Sequence, residues 1–188
     1  MKTKLIQILK EYYNIIMELP LSEHHRYNFQ IPQNFDEVLQ VLDYLGDRKF
    51  NNFVEIGNAH GGSLWVYSNL LCNNMITAID PSTTPDLRIV SVKLKERFPL
   101  FRRIPDFSYN VKVDNIDLLH IDGSHKYEDI KRDVKDWFPR VIKGGIILLH
   151  DTIAYDGPKR VVKELREKYK INTTKILSSP LGISIVEK

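Results

Sequence analysis

The stretch Val54-Glu55-Ile56-Gly57-Asn58-Ala59-His60-Gly61-Gly62-Ser63 carries an apolar segment through a cluster of glycines into a helical pattern. Gly57 permits a sharp turn, Gly61 and Gly62 leave room for a ligand beside the main chain, and the helix that follows opens with unpaired N–H groups. A dinucleotide fingerprint would need glycine where this chain has Ala59, and a P-loop would need a lysine before the hydroxyl residue, which Gly62-Ser63 lacks. Two readings stay open on these residues alone: a ligand-binding strand-to-helix turn and a purely structural one.

Around this loop, short apolar runs alternate with amphipathic segments. Residues 52–56, 75–79, 116–121 and 145–149 are rich in Val, Ile and Leu and lack polar alternation, as strands buried on both faces do. Between the later runs, Tyr127, Ile130, Val134 and Trp137 form one helical stripe and Val161, Val162, Leu165 and Tyr169 another. Strand–helix alternation implies right-handed parallel crossovers in a doubly wound α/β sheet. The tail departs from this pattern. Residues 173–177 and 183–186 are strand-like but separated by five residues, too few for a crossover helix, so they are expected to be antiparallel neighbours.

Residues 1–48 are expected to form a helical cap, and residues 49–188 the core of a single domain. Leu5, Ile8, Leu9, Tyr12, Ile15 and Ile16 recur at helical spacing, while Lys10, Glu11 and Glu18 break up any signal-peptide core. A loop containing Pro20, His24, His25 and Pro32 precedes a second helix, with Asn34 as N-cap and Glu37 at the capping-box position. Over 188 residues, 43% hydrophobic and 27% charged content are ordinary for a globular domain. A net charge of +3 is too small to imply nucleic acid, and a basic patch would have to be shown separately. The lone Cys72 excludes an internal disulfide and a multi-cysteine metal site. No apolar stretch reaches membrane-spanning length, so a cytoplasmic protein with no membrane or nucleic-acid partner is expected. A homo-oligomer is left open.

Carboxylates recur at the ends of the parallel runs: Glu55, Asp80 in Ile79-Asp80-Pro81-Ser82, Asp122 in Ile121-Asp122-Gly123-Ser124-His125, and Asp151 after His150. One aspartate at a helix start is ordinary capping. Four at the carboxyl ends of one sheet, where open α/β folds bind ligands, suggest a site.

The order of these motifs resembles that of class I S-adenosylmethionine-dependent methyltransferases. E-I-G-x-x-x-G-G-S, I-D-G-S-H-x-Y and G-G-x-x-x-x-H-D are similar to the small-molecule O-methyltransferase branch, which includes catechol O-methyltransferase-like and cephalosporin-hydroxylase-type proteins. The resemblance covers about residues 50–188. It implies a Rossmann-like three-layer sandwich, with a mostly parallel seven-stranded sheet, an antiparallel last strand and N-terminal cap helices. It also implies that Glu55, Gly57, Asn58, Ala59, Gly61, Gly62 and Ser63 line the methionine end of S-adenosylmethionine. By the same resemblance Asp80 holds the ribose, Pro81 and Ser82 flank the adenine, Asp106 and Ser108 read its amino group, and Asp122 borders the cofactor.

Asp122 and Asp151 match positions that bind a divalent ion in metal-dependent relatives. His150 stands where catechol-type enzymes present an oxygen, a substitution that disfavours magnesium. His150 is then a third ligand, a residue that supports the ligands from behind or a substrate residue, and the metal is magnesium, manganese, iron or zinc, or absent. The expected reaction is methyl transfer to a hydroxyl of a small molecule or sugar, with Asp122 and His125 catalytic and His125 the base if no metal acts. His120 is the reserve base. Residues 24–27 and 155–159 are expected to select the acceptor. The rival reading is a non-catalytic module that binds the same cofactor.

Overall fold

The computed structural model describes residues 1–18, 34–176 and 181–188. Six α-helices occur among them: α1 (Lys2–Ile16), α2 (Phe35–Leu45), α3 (Gly62–Leu71), α4 (Pro85–Arg97), α5 (Tyr127–Trp137) and α6 (Asp156–Glu167). The strands are β1 (Phe50–Ile56), β2 (Cys72–Ile79), β3 (Phe101–Ile104), β4 (Ile116–Ile121), β5 (Val141–Leu149), β6 (Thr173–Ile176) and β7 (Ile183–Glu187). They form one seven-stranded sheet in the order β3-β2-β1-β4-β5-β7-β6. The first five strands run parallel, and β7 inserts antiparallel between β5 and β6. The order reverses between β1 and β4, the switch point where such sheets open a crevice.

Side chains that alternate along each central strand feed two separate cores. Phe53, Leu118, Ile146 and Leu148 pack toward α1–α4, whereas Val54, Leu119, Ile147 and Leu149 pack toward α5 and α6. Burial on both faces is why these strands read as continuous apolar runs. On α1, Leu5, Ile8, Tyr12, Ile15 and Ile16 are buried, and the indole of Trp65 on α3 donates to the Ile8 carbonyl at 3.1 Å. No helix among the described residues is long and apolar enough to cross a membrane.

The expected segments shift in four places. β1 begins at Phe50, β2 at Cys72 and β5 at Val141, and Tyr169 lies beyond α6 at 55% exposure. The loop with Pro20, His24, His25, Arg26, Tyr27 and Pro32, together with Leu177, falls outside the described residues. Asn34 caps α2 by accepting from the Asp36 and Glu37 amides. Glu37 does not complete a capping box, because its side chain is fully buried and turned toward His150.

Candidate active site

The carboxyl ends of β1, β2 and β4 are joined through their main chains. The Gly57 N–H donates to the Ile79 carbonyl at 2.9 Å and the Asp122 N–H to the Ile56 carbonyl at 2.8 Å. Gly57 has φ +81°, and a Cβ placed on it would sit 2.2 Å from the Asp122 carbonyl oxygen. Its glycine character therefore serves the contact between two strand ends. Gly61, also left-handed, differs from the expectation: the space beside it belongs to Val90, 3.0 Å from a built Cβ, and not to a ligand.

Asp80 pins the glycine loop. One oxygen accepts from the Asn58 and Ala59 amides at 2.6 and 2.9 Å, and the other from the Ser82 amide and hydroxyl at 2.7 and 2.6 Å. These bonds hold Ala59 in the left-handed region at φ 43°. Burial alone would raise the Asp80 pKa, but the bonds from Ser82, Ala59 and Asn58 outweigh it and hold the carboxyl below its ordinary value. A lowered pKa gives stability that is complete above the unfolded value and lost as pH falls through the folded one. Asp80→Ala is therefore expected to lower stability by roughly 1.5–3 kcal/mol near neutrality. The gap from the parent protein should narrow in denaturant melts as pH falls below the ordinary carboxylate value and Asp80 takes up its proton. A gap that persists there would show that Asp80 acts through packing.

A cleft of about 520 Å³ opens above these strand ends, in the size range of small-molecule sites. Gly57, Ala59, Asp80, Pro81, Ser82, Asp106, Ser108 and Asp122 line it. Glu55, Asn58, Gly61, Gly62 and Ser63 are not on its wall. Glu55 is fully buried beneath the loop, where it accepts from the Ser63 hydroxyl at 2.5 Å and lies 3.6 Å from Nδ1 of the equally buried His120. That cluster lies beneath the loop, so Glu55 and Ser63, expected at the methionine end of the cofactor, do not line this cleft.

The cleft has residues that the sequence reading passed over. Phe107 and Tyr109 stack with ring centres 5.3 Å apart, and the Arg132 guanidinium lies 4.3 Å from the Tyr109 ring centre. Ser108 donates to Asp133, whose carboxyl is pushed up by burial. The Pro105-Asp106-Phe107-Ser108 stretch had no periodicity to reveal that it brings a flat aromatic surface to the cleft.

Beside Asp122 the cleft adjoins a smaller pocket bordered by Ser124, His125, His150, Asp151 and Pro158. β4 and β5 are adjacent and pair from Leu118↔Ile146 to Ile121↔Leu149, which brings Asp122 beside His150 and Asp151. His150 lies between them: Nδ1 is 3.2 Å from Asp122 and 3.3 Å from Asp151, and Nε2 is 3.4 Å from Glu37 of the cap helix. Burial opposes a charge here, but contacts with Asp122, Asp151 and Glu37 overcome it and push the His150 pKa up to about 12. His150 is thus an imidazolium. Asp151 is desolvated, yet His150 and His125 hold its carboxyl below the ordinary value. The resemblance implied a divalent ion at Asp122 and Asp151, and in this structure the His150 ring stands between the two carboxylates.

His125 Nε2 lies 2.6 Å from the second Asp151 oxygen, and its half-exposed ring stacks on Tyr155 with centres 3.9 Å apart. Asp151 is itself left-handed at φ 61°, a strained backbone of the kind found at functional positions. Gly157 allows α6 to pack on this loop, because a Cβ there would meet the His125 carbonyl at 2.1 Å. For a metal, one donor atom each from Asp122, His150 and Asp151 lie within 4.8 Å of one another. This nitrogen-and-oxygen set fits a borderline ion such as manganese or zinc better than magnesium, provided His150 gives up its proton.

A family profile described as "Methyltransferase domain" matches residues 54–152, just over half of the chain. An uncharacterised protein of Acanthamoeba polyphaga mimivirus is 31% identical over 138 residues, 66% of this chain and 62% of that protein, so the chain spans less than two thirds of it. The O-methyltransferase from Bacillus cereus, solved with SAH, superposes with a TM-score of 0.62 at 15% identity, covering 99% of this chain and 91% of that one. An rRNA methylase from Streptococcus thermophilus superposes with a TM-score of 0.59 at 16% identity, covering 81% and 96%. At such identities the two structures share this fold, and their different acceptors show that the fold does not choose one.

Proposed function

The chain belongs to the methyltransferase-domain family and has the class I, S-adenosylmethionine-dependent fold; on that premise we propose that it methylates a hydroxyl of a small molecule or sugar, with His125 as the base. The observation that carries this reading is the His125–Asp151 pair, 2.6 Å apart, at a water-sized recess of about 10 Å³ that shares Asp122 with the 520 Å³ cleft, where the acceptor must sit.

In this reading the cofactor supplies an electrophilic methyl group on sulfur. Asp80 and the glycine loop position its ribose, and Phe107 and Tyr109 offer the apolar faces on which an adenine packs. Displacement at a methyl carbon needs alignment and a deprotonated nucleophile more than covalent help. His125 takes the hydroxyl proton, while Asp151 fixes the ring and stabilises the cation formed. Asp122 joins the two pockets and orients the acceptor. If a divalent ion binds, Asp122, His150 and Asp151 hold it, and it supplies Lewis-acid polarisation of the hydroxyl.

The test is to incubate the protein with methyl-labelled S-adenosylmethionine and a panel of phenols, catechols, sugars and their amine analogues, with and without a chelator. Label in ether products of the hydroxyl acceptors is expected. His125→Ala should lower that rate by about 10²–10⁴-fold without changing cofactor affinity. Label only in amines, or cofactor binding without transfer to any acceptor, would overturn the reading, the second result in favour of a binding module. Activity that survives the chelator would remove the metal and leave His125 as the base.

A further inference from the structure

A net charge of +3 conceals an uneven distribution. Residues 159–170 hold six cations and two carboxylates, net +4, so the rest of the chain is at −1. The whole positive excess lies on α6 and the three residues after it. Lys159, Lys163 and Arg166 follow one another at spacings of four and three on one face of α6, and Lys170 lies three residues beyond the helix end. They line one surface groove of about 460 Å³ together with Val162 and a single carboxylate, Glu167.

Local stability does not explain this arrangement. Among the described residues, Lys159, Arg166 and Lys170 make no ion pair, and Lys163 has only Glu167 at the 4.0 Å limit. Glu164, the other carboxylate, is engaged by Tyr127 and Lys131. Lys159 and Arg160 lie within about a turn of the α6 N-terminus, where the helix dipole disfavours positive charge. Exposed tyrosines stand at both ends of the row: Tyr155 at 42% and Tyr169 at 55% exposure. Because α6 follows β5, the row starts next to Pro158, at the small recess beside Asp122, and continues along α6 away from it.

A cationic groove flanked by exposed aromatic rings is the surface that single-stranded nucleic acids use: phosphates follow the charges and bases stack on the rings. We infer that the outer face of α6 binds single-stranded nucleic acid. This goes beyond the proposed methylation and does not depend on the identity of the acceptor.

The experiment is fluorescence anisotropy of labelled 12-nucleotide oligo(U) and oligo(dT) with the whole chain, from 50 to 200 mM salt. A dissociation constant of roughly 1–100 µM is expected at the low end for one or both strands. With four cations engaged, affinity should fall about 50-fold across that range, and in the K163Q/R166Q/K170Q variant only about threefold. Tyr169→Ala should weaken binding by about tenfold with the salt dependence unchanged. The triple variant should keep the melting temperature and SAH affinity of the parent, so failure here and failure of the cofactor reading are separate results. Three results would overturn the inference: no binding of either oligonucleotide at 50 mM salt, binding that the triple variant retains, or equally tight binding of poly-glutamate.

Discussion

His150→Ala is expected to cost about 3–5 kcal/mol of folding stability, the scale for removing one partner of a buried ion pair. The variant removes the imidazole that lies within 3.2–3.4 Å of Asp122, Asp151 and Glu37, and Glu37 is fully buried. The sign of the pH dependence follows from the His150 pKa, which is raised to about 12. A raised pKa gives stability that is complete below the unfolded value and falls away progressively as pH rises from there to the folded one. The deficit should therefore be largest near pH 6 and clearly smaller at pH 9. Urea melts at three pH values read this directly. A deficit under about 1 kcal/mol would mean that His150 is not the cation holding these groups.

Gly57→Ala is expected to be nearly as severe and to act on the ligand as well. The new methyl group would lie 2.2 Å from the Asp122 carbonyl and 2.7 Å from the Gly123 Cα, both backbone atoms that cannot rotate away. An L-residue at φ +81° adds about 1–2 kcal/mol, and overpacking about 1–3 kcal/mol. Relief requires the β1 and β4 ends to separate, which moves the loop pinned by Asp80 away from Asp122. A fall of several degrees in melting temperature with at least a hundredfold weaker SAH binding is the expected outcome. A variant that melts lower but binds SAH normally would detach Gly57 from the cofactor site. Gly61→Val offers a contrast: its side chain would press on Val90 in the α4 packing, so it should cost stability in the first instance.

How legible the molecule was from its residues depended on which face each segment buries. β1, β2, β4 and β5 could be read because both faces are covered, and β7 because it is short, apolar and close behind β6. β3 was not. Its four residues, Phe101-Arg102-Arg103-Ile104, form a sheet edge where two arginines are partly exposed, and only the resemblance supplied a seventh strand. α4 lacks a clear stripe for a similar reason, since few of its positions are buried.

At the site, positions set by strand ends were legible. Asp80, Asp122, His125, His150 and Asp151 could be placed near one another because parallel strands bring their carboxyl ends together. Glu37 was not, because a carboxylate in the first turn of a helix has an ordinary local explanation and its partner is 113 positions away in sequence. The sequence also suggested that Asp80 presents free oxygens to a ribose. In the structure both oxygens already accept from the loop, so ligand binding there means exchanging or sharing those bonds.

The most direct measurement is a calorimetric titration of the purified chain with S-adenosylhomocysteine, repeated with NADH and on the Asp80→Ala variant. A dissociation constant of roughly 1–100 µM for S-adenosylhomocysteine, weakened at least tenfold in the variant, with no heat from NADH, is the expected result. Binding of NADH in place of S-adenosylhomocysteine, or no binding of either by folded protein, would contradict a cofactor site at the carboxyl ends of β1, β2 and β4.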